Sequence, residues 1–118
     1  MAKVRNLRTA DYKSLQFTAG AALSAKDMDK IQDLVGFYFA EAAVGEEVAF
    51  VYEMHDVELP KVGNQIARGQ HLFYVNATDN VSNTDGGGSN EYCGFAKADA
   101  AAGDAYVRAA LIGAGGPH

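Results

Sequence analysis

The 118-residue chain has one cysteine, two prolines and no tryptophan, and its apolar runs are short. A lone Cys93 excludes an internal disulfide and a paired-cysteine metal knuckle. Runs such as residues 19–23 and 48–52 are only a few residues long, against the roughly 18 to 20 that a membrane-spanning helix needs, so no membrane partner is expected. Lys3, Arg5 and Arg8 stand where a signal peptide is charged, but no apolar segment of the required length follows them. The expectation is a protein made and used without export. A phosphate-cradling loop needs G-x-x-x-x-G-K-[ST]. That pattern is absent: residues 84–90 (TDGGGSN) share only its composition, and the glycine run at 113–116 is followed by just two residues. Nucleotide-dependent chemistry is thereby excluded, and no cofactor is expected. A chain of this length buries roughly 65% of its unfolded surface, enough for one core without a staple.

Positive charge is also scarce outside the N-terminus. Four basic residues (Lys3, Arg5, Arg8, Lys13) against Asp11 give residues 1–13 a net +3, which leaves −8 on residues 14–118 of a chain at −5. An acidic body repels phosphate backbones, so nucleic acid is not expected as a partner. A basic leader on such a body instead suits an acidic protein surface.

Sustained helical periodicity is lacking, while short alternating or β-branched and aromatic stretches recur between Gly, Asn and Asp clusters. The expected fold is all-β, a small barrel or sandwich with at most one or two short helical turns. Strands are expected at residues 14–18, 34–40, 47–53, 55–59, 72–75, 91–97 and 105–112. Residues 26–34 suit a strand with loop better than a helix, and residues 63–68 after Pro60 suit one helical turn ended by Gly69.

An internal repeat is the most informative feature. Residues 36–53 (GFYFAEAAVGEEVAFVYE) and 94–111 (GFAKADAAAGDAYVRAAL) share six identical positions without a gap, and Glu41/Asp99 and Glu46/Asp104 keep the carboxylate. Each copy reads as a β-hairpin that opens on Gly-Phe and turns through small residues at a glycine able to take positive φ. Two such hairpins suggest a pseudo-symmetric barrel.

Few residues carry chemistry. His55 and Glu53 share a strand face by alternation, but a third ligand is not located, so no metal site is expected; a hydrolase built on His55 with Glu53 or Asp56 has no substrate to suggest it. Cys93 has no nearby histidine to activate it and reads as a small core filler. The acidic pairs Glu46/Glu47 and Asp27/Asp29 sit in or beside turns, where solvated carboxylates are ordinary. His118 is terminal. The matches to the glycosylation pattern at Asn76 and Asn80 carry no weight without a secretory signal. Six Phe and six Tyr suit a core and subunit interface, or alternatively a barrel that binds carbohydrate or another ligand through exposed aromatics and residues 84–90.

The order of parts resembles a known family. The first Gly-Phe hairpin with AAVGEEVAFVYE, then DVELPK (56–61), QIARGQHLFYV (65–75) and the second hairpin are together similar to the head-decoration, or capsid cement, proteins of tailed phages. Members of that family are sometimes mislabelled as RecA/RadA-like recombinases, a label the missing nucleotide site contradicts here. The resemblance implies a non-enzymatic β-barrel that trimerises and sits outside the phage head at three-fold or quasi-three-fold sites. There it would lock major capsid protein subunits together against DNA pressure, after synthesis in the host cytoplasm. Residues 1–25, which fit the pattern less well, are expected to form a capsid-facing arm and first strand, with residues 26–118 as the barrel. The arm contacts are assigned to Lys3, Val4, Arg5, Leu7 and Arg8, with Val4 and Leu7 as apolar anchors pairing a strand edge on the capsid. The trimer seam is assigned to Val57, Leu59, Pro60 and Phe73, with Pro60 protecting an edge.

Overall fold

One strand, fourteen residues long, organises the chain. The computed structural model describes residues 2–9 and 11–113; His118 and residues 114–116 of the terminal glycine run lie outside them. The elements are β1 (Tyr12–Thr18), β2 (Met28–Ile31), β3 (Leu34–Tyr38), β4 (Glu47–Pro60), β5 (His71–Val75), β6 (Asn80–Ser82), β7 (Glu91–Ala96) and β8 (Tyr106–Ile112), with a short 3-10 turn at Gly86–Gly88. The all-β expectation is borne out: the strands form a nearly closed, antiparallel, barrel-like sheet. Its order is β2-β3-β4-β8-β7-β5-β6, and β1 also pairs with β4.

Sequence alternation suggests two strands where β4 is one. Its buried positions, among them Val48, Phe50, Val51, Met54, Val57 and Leu59, change phase along the strand. Register shifts explain this. One extra β4 residue, Tyr52, faces the Lys13/Ser14 step of β1, and another lies between Met54 and Val57 opposite β8. A one-residue bulge moves all following side chains to the other face and bends the strand. The bends let β4 pair on one edge with β3 and then β8, while β1 runs along its other edge. Strand β6 was not anticipated, and residues 63–68 form no helical turn. Ile66 instead is buried and exchanges backbone hydrogen bonds with Ala100 at 2.9 and 2.8 Å.

The sequence repeat is a structural one. In β1-β2-β3-β4 and again in β4-β5-β7-β8, the first strand pairs with the fourth, the second with the third, and the third with the fourth. Strand β4 ends one unit and begins the next. The loops match as well: Leu23 and Ala42 exchange backbone hydrogen bonds (2.9 and 3.1 Å) as Ile66 and Ala100 do. Of the carboxylates kept in the repeat, Glu46 and Asp104 cap their own loops, accepting from the Ala43 N–H at 2.7 Å and the Ala101 N–H at 2.9 Å. Beyond β4, Lys61 bridges Val81 of β6, and Val62 N–H donates to the Val81 carbonyl at 2.9 Å. That contact closes β6, one end of the sheet, back onto the end of β4.

The repeated Gly-Phe opening has a packing cause. A Cβ on Gly36 would lie 2.1 Å from the Val51 carbonyl oxygen, and one on Gly94 would lie 1.9 Å from that of Ala110. At these two points β3 and β7 approach their partners too closely for any side chain. Of the turn glycines, Gly45 takes φ +88°; Gly103 is not among the positive-φ glycines, so that turn does not require one there.

Two apolar clusters result. The main core lies inside the barrel and includes Phe37, Leu59, Leu72, Cys93 and Leu111. A second, on the opposite face of β4, gathers Tyr38, Val48 and Phe50, with Leu15, Phe17 and Tyr52 only partly covered. Gly36→Ala and Gly94→Ala are each expected to cost about 3 kcal/mol or more through overpacking against backbone. Gly63→Ala, whose Cβ meets nothing nearer than 3.9 Å, should stay within about 0.5 kcal/mol. Chemical denaturation of the three variants checks the contrast; equal stabilities would contradict the packing explanation.

Candidate functional site

The basic N-terminal segment lies on the barrel as an extended chain. Met28 N–H donates to the Ala2 carbonyl (2.8 Å) and Val4 N–H to that of Lys26 (3.0 Å), while Arg5 and Glu58 exchange backbone bonds at 3.0 Å. Arg8 N–H donates to the Asp56 carbonyl at 2.9 Å. The segment therefore continues the line of β1 along β4 and also stitches β4 to the start of β2. Val4 is 1% exposed and belongs to the main core, with Leu7 packed against it. Val4 is thus used within the chain, and Leu7 is partly covered by the same core.

Side chains reinforce the docking. Lys3 pairs with Asp27. Arg5 Nε donates to Glu58 Oε1 at 2.7 Å, and Arg8 Nη2 to Glu58 Oε2 at 3.0 Å. Arg108 grips Asp56 with two bonds of 2.9 and 2.8 Å, and Lys97 Nζ lies 3.8 Å from the same carboxylate. The Arg5 guanidinium also sits 3.8 Å from the centre of the Tyr106 ring. Four cations thus surround two carboxylates, an excess of positive charge on one face of an acidic protein. Hydrogen bonding from Asn6, Arg5 and Arg8 holds the Glu58 carboxyl down at about 2, and Arg108 likewise lowers Asp56. Asp56, Glu58, Lys97 and Arg108 are the partners that sequence reasoning missed. Their one signal was the alternation of DVE in β4, which puts two carboxylates on one face.

The remaining candidates fall elsewhere. His55 Nε2 lies 3.2 Å from Glu53 Oε2, which Lys13 Nζ also approaches at 3.6 Å. These three side chains line an open cavity of about 270 Å³ with Thr9, Asp11 and Tyr12. Among the described residues no three His, Cys, Asp or Glu side chains converge as metal ligands. Cys93 is fully buried, and burial pushes its thiol up. In the 84–90 loop, Asp85 accepts from the loop's own Gly87 N–H and Asn90 donates to the Thr84 carbonyl, both at 3.1 Å. That loop spends these polar groups on itself.

The seam assignment needs correction. Val57 and Leu59 are 0% exposed within the single chain, and Pro60 is buried at the end of the β4–β8 ladder opposite Tyr106. Val57 and Leu59 face the main core and leave no surface for another copy, and Pro60 is covered at the strand's end. Phe73 is half-buried on β5, 6.0 Å from Tyr92.

The family model of the phage cement protein matches residues 9–111. The chain belongs to the phage cement protein family. No curated protein matches it. As a phage cement protein it is a capsid-stabilising component of the virion.

Glu58 titrates lower folded than unfolded, so its contribution to holding the N-terminal segment is complete above about 4.5 and lost as pH falls through about 2. Amide protection at Val4 and Arg5 should therefore stay constant from neutral pH to about 4.5 and decline towards 2; a profile flat to the acid end would contradict the ion-pair account. Val4→Ala should lower stability by about 2 kcal/mol, as read by denaturation.

Proposed function

We propose that the protein binds the outside of the mature head as a homotrimer at three-fold or quasi-three-fold sites and braces major capsid protein subunits against DNA pressure. The observation that carries this reading is the excess of cations at the docked N-terminal segment, on a chain whose remainder is strongly acidic. Lys3, Arg5 and Arg8 keep about half of their side-chain surface exposed, at 50%, 55% and 44%. Their outer faces can meet an acidic shell while their inner faces hold Asp27, Glu58 and Asp56. Residues 1–25 are thus the shell-facing part, and residues 26–118 the barrel that carries it. Val4 and Leu7 contribute by fixing the segment to the core, which sets the register of the charges.

Trimerisation suits the role because three modest contacts act together at high effective concentration. With Val57, Leu59 and Pro60 buried, the self-contact is proposed around Phe73. There His71 and Tyr92 stack edge to face at 5.2 Å, and Phe95 is 36% exposed. The reading assigns no catalytic role to any residue.

Two measurements test it together. Wild-type protein is expected to co-sediment with expanded heads and not with unexpanded ones, and to show a trimer mass by light scattering. The double variant Arg5→Gln, Arg8→Gln should keep the trimer mass and lose head affinity about tenfold. Undiminished binding by a folded double variant would remove the basic segment from the contact.

A further inference from the structure

Strand β1 leaves one edge bare. Its residues pair only with β4, and among the described residues no other backbone reaches it. Ala19 N–H donates to the Glu46 carbonyl. Antiparallel alternation then turns the N–H groups of Leu15 and Phe17 towards β4 and those of Gln16 and Thr18 outwards. Residues 14–18 (SLQFT) contain no charge and no proline, the usual devices that blunt an edge against pairing. Leu15 and Phe17 lie half-covered on the second apolar cluster, while Ser14, Gln16 and Thr18 are exposed on the other face. At its start, Tyr12 stacks on Phe39 at 5.4 Å with both rings exposed, at 42% and 43%.

The internal repeat shows what fits there. In the first unit β1 takes the place that the second half of β4 takes in the second unit. The outer edge of that half of β4 is covered by an extended segment, through the backbone bonds of Arg5 with Glu58 and Arg8 with Asp56. The corresponding edge of β1 is empty among the described residues. We propose that the free edge of β1, Tyr12–Thr18, receives an extended strand of the capsid subunit, adding it to the sheet as the N-terminal segment is added to β4. A second copy of this chain is a poor occupant. β1 is the strand with a fully free edge among the described residues, so copies would pair β1 to β1, a two-fold arrangement that does not build a ring of three. Backbone bonds supply affinity at such an edge and alternate side chains supply selectivity. Leu15, Phe17 and the Tyr12–Phe39 stack offer the apolar surface, so the incoming strand should alternate apolar and polar residues.

This inference rests on the proposed head binding, and the test separates the two. Wild-type protein is bound to expanded heads assembled without it, and amide exchange is followed free and bound. The Gln16 and Thr18 amides should exchange fast when free and become protected on heads, with Leu15 and Phe17 protected in both states. Gln16→Pro, which removes an outward donor and spares the β4 ladder, should keep the free protein's mass and melting point and reduce head binding at least tenfold. Bound wild type with unprotected Gln16 and Thr18 amides would overturn the β1 site and leave the head-binding reading intact. So would protection that appears in free protein as its concentration rises, since β1 would then be pairing with itself. If wild type fails to sediment with heads, it is the head-binding reading that fails, and the β1 site falls with it.

Discussion

The length and double bulge of β4 set the rest of the structure. A straight fourteen-residue strand would present one alternation to one partner on each edge. By shifting phase at Tyr52 and again between Met54 and Val57, β4 changes partner from β3 to β8 and keeps Val51, Met54, Val57 and Leu59 in the main core, while Val48 and Phe50 serve the second cluster. It can then belong to both repeat units at once. Its remaining edge is long enough to hold β1 and, beyond it, the N-terminal segment. Of the carboxylates that fix that segment, Asp56 lies within the second bulge and Glu58 just beyond it.

The electrostatics follow from the same strand. Asp56 and Glu58 alone would leave acidic charge at that end of β4, but Arg5, Arg8, Lys97 and Arg108 outnumber them, so that end of an acidic molecule carries excess positive charge. Most of these groups are partly exposed, where single ion pairs contribute little each and salt weakens them. The segment is held chiefly by the burial of Val4 and by its backbone bonds, with the charges selecting its path. The other end of β4 is different: Glu47 faces Thr18 of β1, and Glu46 is committed to its own loop.

Much of the fold was legible in the residues. Alternation and turn composition located β1, β3, β5, β7 and β8 to within a few residues, and the ungapped repeat pointed to two related hairpins before any coordinates. Reading β4 as two strands came from its bulges, since a phase change in alternation looks the same as a strand end. Strand β6 is three residues long and leaves almost no pattern, and the helix formers around Ile66 lost to a pairing with Ala100 in the other half of the chain. The basic segment was visible as charge, but not as a docked strand, because its partners Asp56 and Glu58 lie about fifty positions away. Val57 and Leu59 were assigned to a seam because apolar residues in a strand look alike whether they face a core or a neighbour. Burial in the single chain separates the two.

Imaging of expanded heads after addition of the protein tests the central claim most directly. The expected density is three barrels around each three-fold or quasi-three-fold position on the outer surface, with the basic segment and the outer edge of β1 turned to the shell. Heads that gain no density, or barrels bound with β1 and the segment facing solvent, would contradict it.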